Sequence, residues 1–481
     1  MTTATAPHSL IRNGRYFAWL ISDTAKGLAS ALFGFAIPLI ALFVTNEPAQ
    51  AGAISAVGMT IRTVTTVFGG VLADRHRRIV MMVMGSLVGV VLSVAFTVLA
   101  LTDALTFVTL LIMEIVLAAR TGLFDIAGES ALKEIVPDAA MGRAQAANQG
   151  RDAVLQLAGG PLGGVLLAAG AWLIGAAMAV CHLIAALTAW MLQRSAVRPE
   201  TARPAPPAPR AGENGDESAR RRRVGAGLAV DTPDAPGFPT EVADEARGAD
   251  AAVSDTGLVA AAIAVGRPNA MREVREGFGW LFSRVDLRGV LFVATIINLG
   301  FSSALTTVIY ALQQQGQSPV TIGLLATGAG VAMLVGALFA PLLVSRVPAG
   351  TVIIGGLAVS AVGVFGLIPM HDPLPLTLVL AGIVIFIPAV NAALMGYFMV
   401  ATPTEMLGRA NSASAVLGMG AMPLAPLVAG TGLSLIGREA TLIVGAVICA
   451  IAVLLAISNA ALRALPAESG WSAHAARFSI R

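Results

Sequence analysis

Apolar residues in this chain gather in continuous runs rather than alternating with polar ones. Twelve such runs are centred near residues 32, 62, 90, 115, 160, 180, 298, 332, 360, 385, 420 and 450. A helix needs about 20 apolar residues to cross the hydrocarbon of a bilayer. Continuous runs favour helices over the alternating strands of a membrane barrel. Gly and Pro lie inside many of them, as in packed transmembrane helices. The pattern predicts an all-α membrane protein with twelve transmembrane helices, six on either side of a polar interruption.

That interruption covers residues 199–265 and opens with "PETARPAPPAPRAGENGDESARRRRVGAG". Too few apolar side chains are present to offset the entropy of ordering, so the segment reads as a disordered cytoplasmic linker. Its "ARRRRV" run is a solvated charge run or a contact with anionic lipid headgroups. The expected organisation is a six-helix bundle over 1–198, the linker, a second bundle over 266–465 and a cytoplasmic tail over 466–481. Ahead of the seventh run, "MREVREGFGWLFSRVDLRGV" puts Val274, Phe278, Leu281 and Phe282 on one helical stripe, with Arg272, Arg275 and Arg284 beside it. This predicts an amphipathic helix on the membrane surface.

The two bundles repeat one another. "PDAAMGRA", Pro137 to Ala144, returns as "PTEMLGRA", Pro403 to Ala410. The likeness continues from "DAVLQLAGGPLGGVLLAAG" into "SAVLGMGAMPLAPLVAGTG", with the offset shortened by about one helical turn. Two halves repeated in the same orientation predict a transporter with a pathway between them.

Composition agrees with a bilayer: 56% of the 481 residues are hydrophobic and 12% charged, and the mean hydropathy is +0.79. The net charge of +3 matters less than its placement. Arg15, Arg75, Arg77, Arg78, Arg143, Arg194, Arg346, Arg409 and Arg463 fall in alternate connections or near the termini. "TNEPAQAG", "TDAL", "QQQGQSP" and "MHDPLP" carry no basic residue, and only Arg438 breaks the pattern. By the positive-inside rule, both termini and the linker are cytoplasmic in a multi-pass protein of the cell membrane. The start, "MTTATAPHSL", has no basic end followed by an apolar core, so no cleaved signal peptide is expected. Cys181 and Cys449 sit in apolar runs of opposite halves and read as buried, reduced filler.

"GGVLADRHRRIVMM", Gly69 to Met82, resembles the loop signature of the major facilitator superfamily through Gly70, Asp74, Arg75 and Arg78. "GLFDIAGESALKEIVP" and "REGFGWLFSR" resemble the bacterial drug-exporter branch that includes macrolide and enterobactin exporters. "GGPLGG" resembles the Gly-Pro signature of antiporters through Gly159, Pro161, Gly163 and Gly164, with Gly160 where that signature has Pro. The resemblance implies alternating access, with the first and fourth helices of each half lining the cavity. It also implies a lock on the cytoplasmic side, where Asp74 meets the start of helix eleven and Arg409. The matching loop of the second half has Ser345 in place of Asp74, which leaves Arg143 without a carboxylate partner.

No nucleophile elbow, Walker loop or paired Cys or His at ligand spacing occurs, so no enzyme, metal or cofactor is expected and energy must come from a proton gradient. Ionisable residues inside spans are functional candidates by default. They are Asp23 and Lys26 in span one, Arg62 in span two, and Glu114, Arg120 and Asp125 in span four. Asp23 and Lys26, three apart, share a helix face. Arg62 lies about 18 Å from the level of Asp74, near mid-membrane. Glu114 and Asp125 are eleven residues apart, near three full turns, and share a face from which Arg120 points roughly 120° away. A carboxyl removed from water at that depth exchanges protons in the working range. The alternative role for the set is an ion-pair network that fixes helix packing. Spans seven and ten offer Asn298, Tyr310, Asn391 and Tyr397, as cavity residues or as interhelical glue; His371 falls in an outer loop.

These features together predict a monomeric, proton-coupled exporter of amphipathic small molecules, in contact with membrane lipids and with no nucleic-acid partner. An importer or uniporter, or a transport-inactive sensor of the same fold, stays open.

Overall fold

A computed structural model describes residues 13–136, 138–197, 270–403 and 420–478, with 406, 410, 413, 414 and 417 between the last two stretches. The linker, Pro137 and Arg409 lie outside the described residues, as do the surroundings of Gly70 and the side chains of Asp74, Arg75, Arg143, Arg272, Val274 and Arg275.

The first half runs through α1 (Gly14–Thr45), α2 (Pro48–Arg75), α3 (Arg78–Leu101), α4 (Phe107–Phe124), α5 (Ile126–Ile135), α6 (Asp138–Ala169) and α7 (Ala171–Val197). The second runs through α8 (Ala270–Ser283), α9 (Val285–Gln314), α10 (Pro319–Arg346), α11 (Ala349–Gly366), α12 (Pro373–Val384), α13 (Ile387–Ala401), α14 (Leu424–Leu435) and α15 (Gly437–Ser458). Short α16 (Ala460–Arg463) and α17 (Trp471–Ala476) follow. Local chemistry sets many boundaries. The Asn13 side chain caps α1, Thr106 and Thr109 form a capping box on α4, and Pro opens α2 and α10 where a helix has no use for the N–H.

Ten helical spans among the described residues are long and apolar enough to cross a membrane, one of them running through α12 and α13 together. The remaining two of twelve places belong to α2, equally long but more polar, and to short apolar α14. The chain is thus an all-α, multi-pass membrane protein built of two six-helix halves. Packing repeats with the sequence: α2 lies on α4 as α10 lies on α12 and α13, and α1 lies on α6 as α9 lies on α14. Both fourth spans are interrupted, at Asp125 in the first half and at Ile385 and Phe386, just before Pro388, in the second.

The halves meet through α6 on α10 and α2 on α14. Glycine permits both crossings: a Cβ at Gly52 would overlap the Pro426 carbonyl, and one at Gly323 the Gly160 carbonyl. Ala49 N–H donates to Ser434 Oγ at 3.1 Å and Gln313 Nε2 to the Leu39 carbonyl at 2.6 Å. These contacts gather at the end of the molecule whose loops carry no Lys or Arg except Arg438, called here the arginine-poor end. Arg438 itself donates to the carbonyls of Leu367, Ile368 and Met370. It breaks the charge pattern because it serves carbonyls just past the end of α11.

Helix α8 covers the expected amphipathic stretch, but its stripe is only partly covered. Leu281 is buried, whereas Phe282 is exposed and stacks between Phe278 and Phe292 at 6.0 and 5.8 Å. Arg284, expected at the polar edge, is instead buried at the joint with α9, where it grips Asp286 with Nε and Nη2 at 2.9 and 2.8 Å. Burial of a guanidinium is stable here because the carboxylate matches its fork. Residues 466–478 fold back on the second half: Ala349 and Gly350 donate to the carbonyls of Pro466 and Leu465 at 3.1 and 3.2 Å, which satisfies the first N–H groups of α11.

Candidate functional site

Four helices of the first half bring a charged cluster together. Lys26 Nζ on α1 lies 3.0 Å from Asp23 Oδ1 and 3.9 Å from Asp125 Oδ1. Arg151 on α6 closes on Asp23 Oδ2 at 2.9 Å and stands 5.7 Å over the Trp19 ring. Arg120 on α4 lies 3.7 Å from Asp125 Oδ2 and donates to the Gly85 carbonyl of α3 at 3.3 Å. Five of these groups, Asp23, Lys26, Arg120, Asp125 and Arg151, therefore form one network. Arg120 does meet a neighbouring helix, as its direction predicts. It also pairs with Asp125, because α4 stops at Phe124 and Asp125 turns at the junction, where Gly128 N–H bonds the Asp125 carbonyl.

Glu114 stands apart from that network. Its side chain fills the space that Gly58 leaves on α2, where a Cβ would overlap Oε1. It is 8% exposed, and its Oε2 has no hydrogen-bond partner. Arg62, one turn along α2 from Gly58, acts on it electrostatically and is itself exposed. Glu114 and Asp125 thus project along one span into different surroundings.

In the second half, Asn298 and Asn391 are exposed and line one cavity of about 180 Å³ between α9, α11 and α13, together with Ser360 and Phe301. Tyr310 and Tyr397 do not join them. Tyr397 is buried and donates to Asp286 Oδ2 at 2.8 Å, and His474 Nδ1 of α17 lies 3.0 Å from the same phenol. Tyr310 is buried against the first half. A second cavity, about 910 Å³, opens at the arginine-poor end and is lined by Phe43, Asp103, Trp172, Gln313 and Gln317 among others.

The glycines of "GGPLGG" divide by face: Gly159 and Gly163 press on Ala31 and Phe35 of α1, and Gly160 and Gly164 on Gly323 and Pro319 of α10. Gly160, the departure from the antiporter signature, is a point of closest approach between the halves. Of the loop-signature residues, Arg78 is described and pairs with Glu134 on α5 at 3.4 Å. Cys181 and Cys449 are buried and free, and His371 is exposed.

The profile of the Major Facilitator Superfamily matches residues 21–264 and 290–477. The chain belongs to the major facilitator superfamily. Among curated proteins none matches it. Solved structures of similar fold include a bacterial homologue of the iron transporter ferroportin in an inward-facing state, with a TM-score of 0.62 and 12% identity over 94% of this chain and 99% of that one. The nucleoside transporter NupG is similar at a TM-score of 0.58 and 12% identity, over 92% and 99%. A bacterial homologue of the human lysosomal transporter Spinster is similar at 0.57 and 12%, over 97% and 98%. At such identities the likeness speaks for the fold, a transporter fold of two helical repeats.

Sequence reasoning missed Arg151, His182 and the Arg284–Asp286 pair. Arg151 reads as a cytoplasmic flank because it follows a polar connection. His182 is a single imidazole in an apolar run, yet only 1% exposed. Asp286 falls where a helix start meets a basic stretch, and its burial depends on Tyr397 and His474, which are remote in sequence.

Proposed function

We propose that this major facilitator superfamily protein exports amphipathic small molecules by alternating access and that Glu114 takes up and releases the coupling proton. The observation that supports this most directly is the setting of Glu114: a carboxyl nearly removed from solvent, one oxygen unpartnered, with Arg62 acting on it. The carboxylates of the charged network each have basic partners within 4 Å and suit a packing role better. Taking the arginine-poor end as the outer face, the contacts between the halves close the pathway on the outside. The cavity with Asn298 and Asn391 then offers an apolar wall with a few hydrogen-bonding groups, which fits a molecule that is mostly apolar.

Ethidium accumulation in cells with and without the protein, with and without a proton uncoupler, tests this reading. Expression should lower accumulation and the uncoupler should restore it. Glu114→Gln should abolish the proton-driven component. Unchanged efflux in that variant removes Glu114 from the coupling step, and higher accumulation on expression makes the protein an importer.

A further inference from the structure

The cavity at the arginine-poor end shares no lining residue with the one that holds Asn298 and Asn391. Its volume, about 910 Å³, is in the range of small-molecule sites. Its walls come from the ends of α1, α3, α6 and α9 and the starts of α7 and α10, and they are mostly aliphatic. Two exposed aromatic side chains, Phe43 and Trp172, join them. The indole sits at the joint of α6 and α7, where Gly170, at φ 148°, leaves Nε1 the space that a Cβ would fill. Among the described residues, Asp103 is the one charged group in the lining. Local physics disfavours it there on two counts. It follows Thr102, the C-cap of α3, so its negative charge stands at the negative end of the helix dipole. Its backbone is left-handed, at φ 52°, in a place that glycine or asparagine takes at less cost. A carboxylate kept against both terms marks a position held for something other than folding. The wider field has the same sign. Glu47, Asp103, Asp372 and Glu439 lie at this end, and its one guanidinium, Arg438, is engaged with the carbonyls past α11. A concave, low-dielectric surface of one sign concentrates ions of the other.

We propose that this cavity is a second ligand site, which binds amphipathic organic cations from the arginine-poor side. The aliphatic walls take the body of the ligand, and Asp103 with the Phe43 and Trp172 rings takes its positive charge. A cation held there also offsets the charge that Asp103 sets against the α3 dipole. An anion of the same shape finds no basic side chain in the lining. The site goes beyond the proposed export reaction, because it requires neither Glu114 nor a direction of transport.

Tetraphenylphosphonium and tetraphenylborate, nearly equal in size and shape and opposite in charge, separate the electrostatic contribution from the apolar one. Calorimetric titration of the full chain in maltoside micelles, with empty micelles subtracted, should show the cation binding about tenfold or more tighter than the anion. Asp103→Asn and Asp103→Gly should each weaken cation binding by about tenfold. Both should melt no lower than wild type, because each residue suits the left-handed backbone and neither opposes the dipole. Trp172→Leu should weaken cation binding by about threefold or more. Gln317→Cys, in a chain with Cys181 and Cys449 replaced by Ala, reads the location, since Gln317 lines this cavity. The cation should slow its reaction with a maleimide and the anion should not. Equal affinity for the two ions, or wild-type affinity in Asp103→Asn, overturns the site. So does cation binding that Asn298→Ala abolishes while Gln317→Cys stays unprotected, because the ligand then occupies the other cavity.

Discussion

The carboxyl of Glu114 is held by the absence of a side chain. At Gly58 even a methyl group would overlap Oε1, so Gly58→Ala should force the carboxyl to another rotamer at a cost of about 1–3 kcal/mol. The expected result is a protein that folds, melts lower and has lost most of its uncoupler-sensitive efflux; full efflux would show that the position of the carboxyl is unimportant. Asp23 makes a contrasting case. It neutralises both Lys26 and Arg151, at 3.0 and 2.9 Å, with its own side chain 13% exposed. Asp23→Asn leaves Lys26 with Asp125 alone, at 3.9 Å, and Arg151 with Asp152, at 2.7 Å, and should destabilise by about 1–3 kcal/mol. Combining it with Lys26→Met should recover part of that loss, which thermal unfolding in detergent would register. Equal melting of the single and double variants would show that Asp125 compensates Lys26 once Asp23 is neutral.

At the scale of elements, the crossings between halves are governed by small residues. Gly323 and Gly160 let α10 and α6 touch backbone to backbone, and without a hydrophobic force between helices in lipid such close packing supplies much of the attraction. Gly323→Val should separate the crossing and lower the closed population of the arginine-poor end. Spin labels at exposed Gln50 and Leu435 would show it as a longer distance distribution, and an unshifted distribution would contradict it. The return of α17 is an element held by a polar chain. The Asp286 carboxylate, already gripped by Arg284, only accepts, so the Tyr397 hydroxyl donates to it and His474 Nδ1–H donates to Tyr397. Burial pushes the His474 imidazole below its ordinary value of 6.5, with Arg477 acting the same way and Asp286 against it. The docked tail therefore binds fewer protons than the undocked one. Docking is at full strength above about pH 6.5 and weakens as pH falls through and below it. Hydrogen exchange over residues 471–478 should accelerate between pH 7.5 and 5.5, after correction for intrinsic rates, and His474→Phe should remove that dependence.

On the scale of the whole molecule, the two halves need only a tether. Protease added to inside-out vesicles is expected to cut within residues 199–265 and leave two stable fragments that remain associated. Cleavage only in right-side-out vesicles would reverse the orientation. The contact proposed between Asp74 and the start of helix eleven belongs to this scale too. Asp74→Asn should shift the protein toward an inward-open state by about 1–3 kcal/mol, read as faster cysteine labelling on the cytoplasmic side. An equal effect from Ser345→Ala would defeat the asymmetry.

Much of the architecture is legible along the chain because it depends on local physics. Hydrocarbon demands long apolar helices, so the spans, the polar interruption and the twofold repeat stand in the sequence, and so do the intramembrane charges, which are rare enough to be conspicuous. Partnerships are a different matter. Arg120 pairs with Asp125 only because α4 ends where it does, and Arg151 joins Asp23 from a helix more than a hundred residues away. Tyr310 looks like one more polar residue of span seven until the halves are brought together and its ring is found inside the other half. Arg438 contradicts the charge rule until the end of α11 is seen against it. In each case the deciding term is a contact between helices distant in sequence, whose geometry depends on side-chain reach and on where glycine lets backbones meet. Helical periodicity states which face a residue occupies; tertiary packing alone states what that face meets.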